Sequence, residues 1–426
     1  MKREIGLAGA ILMGLGSIVG TGAFVSIGIA AGIAGPNVLI AIFLASLLAI
    51  CNGLSSAQLA ANHPVSGGTY EYGYRWLTPT LGFTAGWLFL CAKSASAATA
   101  LLGLVGYIYA ATVGAQPLDG VLIGLAIVAL ILLTGLTLVG IKRTNTINSL
   151  IVATTLVSLI VFAAFAVPAA FSRSALNLEG LFKLDKPSSL NLFHATALMF
   201  VAYTGYGRIA TLGEEVKEPR KTIPRAMIVT LAVTMLLYLT VGFVAVDLVG
   251  PKELAVSVKT SIAPLLHAAQ SLNTPWIQTV LLVGAITAMI GVVLNLLLGL
   301  SRVALAMARR NDFPNSLSEV NEKGIPKRAT ILVALIIGVL VLIGDVRISW
   351  SFSAFTVLLY YSLTNLCAIL IEKQSRLYPV WISWAGLLGC FSLAFWITPK
   401  IVLSGLIVLL VGLISRAILR ATTPTH

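Results

Sequence analysis

Between Glu4 and Glu71 the chain carries no Asp, Glu, Lys or Arg, a gap of 66 residues. About 20 apolar residues in a helix cross a bilayer core, so this gap alone holds two or more crossings. Charged residues make up only 10% of the 426-residue chain, against about 25% in ordinary soluble domains. A water-soluble enzyme is thereby excluded, and the chain reads as a polytopic membrane protein. The opening Met-Lys-Arg-Glu resembles a secretory signal, but the apolar run that follows is far longer than a signal core. It is expected to be the first span.

Apolar runs bounded by charge or by Pro/Gly clusters give about twelve spans, near 6–33, 38–61, 81–111, 119–140, 147–170, 192–213, 226–248, 276–307, 329–344, 351–371, 378–397 and 400–419. They are expected to be helices, because a helix satisfies its own backbone hydrogen bonds in lipid, and the alternating segments of a β-barrel do not occur. The expected fold class is therefore all-α, in one integral-membrane domain. Segment 249–275 reads as short helices at the membrane surface. With both termini on one side, 19 of 28 basic residues fall on that side and seven on the other. Lys and Arg collect on the cytoplasmic face, so both termini are expected in the cytoplasm of a cell or inner membrane. The net charge of +13 is thus an orientation signal, without the aromatic-basic interleaving of a nucleic-acid groove. The four cysteines, all in apolar runs, read as buried hydrophobes, with no metal site.

Span one contains Gly14, Gly16, Gly20 and Gly22, four helix-weakening residues in nine. Three readings compete. A dinucleotide-binding loop lacks the acidic residue and the βαβ unit it needs. Gly16 and Gly20 form a Gly-x-x-x-Gly pair suited to close helix packing. Alternatively the helix unwinds at mid-membrane depth, where irregular backbone is tolerated around a cavity and a half-helix N-terminus can face a carboxylate. A second interruption, Phe200-Val201-Ala202-Tyr203-Thr204-Gly205-Tyr206-Gly207-Arg208, lies in span six, about 185 residues later. That spacing suits a five-plus-five inverted repeat: 1–170, then 192–371, with 378–419 as two added helices.

The stretch Gly16-Ser-Ile-Val-Gly-Thr-Gly-Ala-Phe24 resembles the first-helix signature of the amino acid–polyamine–organocation (APC) transporter superfamily. Three further segments are similar to that family and occur in its order: Pro64 to Tyr70, Glu214 to Ala226 and Ser301 to Pro314. The resemblance implies a permease in which Gly20, the Thr21 hydroxyl and the Gly22 amide hold a substrate carboxylate. It implies that backbone carbonyls at Ile18, Val201 and Thr204, with Ala202 and Gly205 alongside, hold the ammonium. Phe200 and Tyr203 are then side-chain contacts or lids, unless they are aromatic packing.

Two departures from the family shape the expectation. Gly207 stands where many members carry an acidic residue, and no carboxylate is found in the spans facing the presumed site. This points away from arginine, lysine or polyamines and toward a neutral amino acid. Span five lacks the lysine that some members use for proton coupling; it offers Thr154, Thr155 and Ser158 instead, so sodium coupling stays open. Lys93, deep in span three, is the unusual cation. Burial disfavours a charged ammonium, which makes Lys93 a candidate for proton coupling or gating, against a structural lysine bonded to carbonyls. Arg208 is expected to pair with Glu214 or Glu215.

No catalytic motif supports a membrane enzyme, and no filter sequence supports a channel. A non-transporting receptor is harder to separate from a carrier. The sequence reading is a secondary transporter for a neutral amino acid working by alternating access, with no cofactor and a proton as coupling ion. An exchanger, a sodium symporter and a cationic amino acid or polyamine carrier are the alternatives. The expected partners are the amino acid and the lipid bilayer; whether a protein partner is required is open.

Overall fold

The computed structural model describes residues 5–65, 67–114, 118–139, 145–183, 186–210, 216–321 and 324–422. Sixteen α-helices run through these residues. They are α1 (Leu7–Ile18), α2 (Ile27–Ala34), α3 (Val38–Asn62), α4 (Thr69–Trp76), α5 (Pro79–Thr112), α6 (Asp119–Val139), α7 (Asn145–Asn177) and α8 (Lys186–Tyr203). There follow α9 (Gly207–Ala210), α10 (Pro219–Thr260), α11 (Pro264–Gln270), α12 (Pro275–Arg309), α13 (Lys327–Val341), α14 (Val346–Ile369), α15 (Val380–Ala394) and α16 (Pro399–Thr422). Among the described residues the one strand-like pairing is an isolated parallel bridge between Ile5 and Val216.

Within the described residues, every apolar run expected to cross the membrane contains helix. Eight helical segments of the described residues are long and apolar enough to cross a membrane, with Leu7–Asn62 counted as one. The runs expected as spans nine and eleven form α13 and α15, each of 15 residues. At 1.5 Å per residue these are about 22 Å long, shorter than a hydrocarbon core of about 30 Å. The surface segment after span seven is helical in pieces. Gly250, at φ 83°, breaks α10 just before Pro251, and α11 follows.

Local sequence explains where the helices begin. The Thr78 side chain accepts from the Leu81 amide at 3.2 Å, and Pro79 takes the first helical position of α5, where an N–H would have no partner. Asp345 caps α14 by accepting from the Arg347 amide at 2.7 Å. Burial pushes the Asp345 carboxyl up, but hydrogen bonds from the Arg347 side chain and backbone outweigh it and hold it below its ordinary value.

The helices differ sharply in burial. In α5, 94% of the most apolar stretch is buried within the protein, against 17% in α16. Small residues from Ala92 to Ala100 let α12 and α14 close on α5. This makes α5 the central post of the bundle, and it carries Lys93.

Candidate functional site at two helix breaks

The first break lies between α1 and α2. After Ile18 the chain turns extended at Val19 (ψ 102°), passes Gly20 and resumes as a π-helical turn over Gly22–Ser26. The glycines also serve packing, so two of the readings drawn from the sequence hold together. A Cβ on Gly16 would fall 2.3 Å from a Val152 methyl, and one on Gly20 would fall 2.5 Å from a Val292 methyl.

The second interruption is milder than expected from the sequence. The chain does not unwind; it tightens into a 3₁₀ turn over Thr204–Tyr206 between α8 and α9. The reason is contact with the first break. Gly205 sits so close to the end of α1 that a Cβ there would lie 2.1 Å from the Ser17 carbonyl oxygen. Gly22 meets Ala202 in the same way, with 2.6 Å left for a Cβ. The two breaks touch backbone to backbone.

Breaking a helix frees carbonyls, and in an apolar interior each must find a donor. Tyrosines from three other helices supply them. Tyr238 of α10 donates to Ile18 O at 2.9 Å and reaches Ala202 O at 3.3 Å. Tyr361 of α14 donates to Thr204 O at 3.2 Å, and Tyr107 of α5 donates to Phe24 O at 2.8 Å. The Thr204 hydroxyl donates to Val201 O at 2.7 Å. The three carbonyls expected to hold an ammonium are thus each engaged by a hydroxyl. Sequence reasoning missed these tyrosines. Their signal was a phenol inside aliphatic runs such as Leu236-Leu237-Tyr238-Leu239, since a buried phenol needs a polar partner.

The other expected residues divide. Thr21 is buried, yet its hydroxyl has no hydrogen-bond partner among the described residues. Phe200 and Tyr203 are fully buried and packed. Phe200 stands edge-on to Tyr361 with centroids 5.6 Å apart, and Tyr203 lies against Tyr238 and donates to Ile42 O at 3.3 Å. Lys93 is buried, and its Nζ donates to the Thr204 hydroxyl at 2.7 Å. The structural alternative for this lysine was bonding to carbonyls; its partner is instead a side chain of the second break. Arg208 is half-buried in α9, whereas Glu214 and Glu215 lie outside the described residues.

Two openings follow the seam between α1 and α7. A cavity of about 180 Å³ is lined by Ile5, Gly6, Gly9, Leu12, Met13, Asn148 and Ser149. Deeper, at the first break, Leu15, Gly16, Val19, Val152, Thr155 and Ala288 line a narrow crevice. Thr155 donates its hydroxyl to Ile151 O at 2.8 Å.

A separate polar cluster ties the same end of the bundle together. The buried carboxylate of Asp312 accepts from Arg416 Nε at 2.7 Å, from Tyr70 at 3.0 Å, from Arg420 at 3.2 Å and from Tyr74. Arg416 also donates to Pro79 O at 2.8 Å and Thr80 Oγ1 at 3.0 Å. Burial, reinforced by Asp312, pushes the Tyr70 phenol up and keeps it a donor. Arg310 pairs with Glu71 beside this cluster. Two segments that carried the family resemblance, around Tyr70 and around Asp312, meet here.

Comparison with known proteins shows the family. The chain matches the family described as amino acid permease over residues 9–423. It is 35% identical over 428 residues to an uncharacterized transporter of Mycobacterium tuberculosis, covering 99% of this chain and 92% of the relative. It is 30% identical over 338 residues to the branched-chain amino acid permease BcaP of Bacillus subtilis, covering 76% of this chain and 70% of the relative. It is also 30% identical over 350 residues to the chloroplastic cationic amino acid transporter 9 of Arabidopsis thaliana, covering 75% of this chain and 58% of the relative.

Proposed function

This chain belongs to the amino acid permease family, a family of multi-pass membrane transporters, and we propose that it carries a neutral amino acid across the cell membrane by alternating access. The observation that carries the reading is the meeting of two helix breaks at Gly22, Ala202, Gly205 and Ser17. One end of a zwitterion finds acceptors there, at Ile18, Val201 and Thr204. The other finds donors, at the amides beside Gly20 and Gly22 and at the unpartnered Thr21 hydroxyl. The relative named as a branched-chain permease supports a neutral substrate, as does the absence of any carboxylate within ion-pair distance of Lys93 among the described residues.

In this reading twelve spans form two inverted five-helix repeats plus α15 and α16, with both termini cytoplasmic. The openings along the α1–α7 seam lead from that side toward the first break, and α1 moves to open or close them. The energy comes from a proton taken up by Lys93, whose bond to Thr204 links its state to the second break. The other titratable and charged groups around that contact are Tyr203, Tyr206 and Arg208 near the turn, and Tyr360 and Tyr361 on α14. Sodium coupling is the second reading, favoured by one observation: Thr155 lines the crevice at the first break.

Uptake of a labelled amino acid panel by purified protein in liposomes, with pH and sodium gradients imposed separately, tests all of this. Accumulation of a neutral amino acid driven by an inward proton gradient is expected. Preference for arginine or a polyamine overturns the substrate class, dependence on sodium alone overturns proton coupling, and binding without counterflow makes the chain a receptor.

A further inference from the structure

We infer that Lys93 sets the charge class of the substrate: its ammonium, held on Thr204 where the two breaks meet, excludes amino acids with a cationic side chain. This rests on the carrier reading above and assigns the selectivity to one residue.

The position is fixed from several directions. Lys93 projects from the central helix α5, and its Nζ donates to Thr204 Oγ1 at 2.7 Å. That hydroxyl in turn donates to Val201 O, while Thr204 O accepts from Tyr361. The next residue, Gly205, presses on Ser17 at the end of α1. The amine therefore sits one residue from the backbone contact that joins the breaks, and it cannot swing away without leaving Thr204.

What surrounds it decides the sign of the selectivity. Among the described residues no Asp or Glu lies within 4.0 Å of Lys93 Nζ. The two fully buried carboxylates among the described residues have other partners. Asp312 is held by Arg416, Tyr70 and Tyr74, and Asp247 lies on α10 with its carbonyl bonded to Asn177. A second cation entering this site meets a like charge in a poorly solvated place, with no carboxylate among the described residues within ion-pair distance to offset it. A neutral side chain meets only a hydrogen-bond donor. Lys93 thus repels a cationic side chain where no carboxylate among the described residues pairs with it.

The test begins with the wild-type protein in liposomes transporting whichever neutral amino acid it accumulates best. Competition by three side chains of similar length is measured: norleucine, lysine and Nε-acetyl-lysine. Norleucine and acetyl-lysine are expected to compete and lysine to fail by about a hundredfold or more, the size expected of like charges a few ångströms apart at an effective dielectric near 20. Equal competition by lysine and norleucine overturns the inference whatever the variants do. In Lys93→Met and Lys93→Gln, read by competition against equilibrium binding of the labelled neutral amino acid, which needs no proton coupling, the lysine-to-norleucine ratio of inhibition constants is expected to fall toward one, and in Lys93→Arg to stay high. An unchanged ratio in Met and Gln, or a collapsed ratio in Arg, also overturns it. A wild-type protein that carries no amino acid sinks the carrier reading instead, which is a different result.

Discussion

The Tyr238 hydroxyl lies 2.9 Å from the Ile18 carbonyl and 3.3 Å from that of Ala202, bridging the two broken helices with a single donor. In the proposed carrier a substrate ammonium would compete for these same carbonyls, and the phenol would stand in for it when no substrate is bound. Tyr238→Phe leaves those carbonyls short of a donor, at a cost of about 1–3 kcal/mol. The melting temperature of the empty protein is expected to fall, and the rise on adding substrate to exceed that of wild type. An unchanged substrate-induced rise refutes the stand-in role.

Thr21 gives the complementary case. Its hydroxyl has no partner to lose, so Thr21→Val is expected to leave thermal stability within about 0.5 kcal/mol of wild type. Uptake should nevertheless weaken, with the apparent KM rising about tenfold for the loss of one hydrogen bond to a charged group. A variant that loses stability and keeps its KM contradicts the carboxylate assignment.

Gly205→Ala places a methyl 2.1 Å from the Ser17 carbonyl oxygen, which is backbone and cannot turn aside. Transport is expected to be lost through separation of the two breaks. Gly299 on α12 has nothing within 4 Å of its Cβ position, and Gly299→Ala should match wild type in uptake and gain up to about 1 kcal/mol in stability. Initial uptake rates alongside melting curves separate the two.

Arg416 and Asp312 form a buried pair, with side-chain exposures of 6% and 0%. Removing one partner strands the other charge, so Arg416→Ala or Asp312→Ala is expected to cost about 3–5 kcal/mol. The double replacement Arg416→Met with Asp312→Leu should cost much less than the sum of the single ones. Additive losses in thermal unfolding would show that the two do not act as a pair.

The capping carboxylate Asp345 titrates below its ordinary value in the folded protein. Its contribution is therefore complete above the unfolded carboxyl value of about 3.9 and is lost as pH falls through the lower folded value. Asp345→Asn should narrow the stability difference between neutral and acidic pH, while Asp345→Ala should cost about 1 kcal/mol at neutral pH. Melting temperatures recorded against pH for both variants test it; parallel curves for Asp345→Asn and wild type would deny the carboxylate this role.

Much of the fold could be read in advance because lipid leaves few choices: long uncharged runs become helices, and the positions of Lys and Arg bound them. The first break was legible in Gly20 and Gly22, since glycine weakens a helix wherever it stands. The shape of the second was not. Whether Thr204–Tyr206 opens or tightens depends on Ser17, nearly 190 residues away, and no local pattern records that contact. The tyrosine donors escaped notice for the same reason, since Tyr107, Tyr238 and Tyr361 look like apolar filling until the carbonyls they serve are placed in space. Lys93 was conspicuous by its charge, yet its bond to Thr204 became visible only when α5 was found at the centre of the bundle.

The bridge between Ile5 and Val216, with the Lys217 amide donating to Ile5 O at 2.9 Å, joins the chain just before α1 to the chain shortly after α9. Each broken helix thus holds the loose end of the other. A pull on either end would be felt at the other, so this strand-like clasp ties the two ends mechanically.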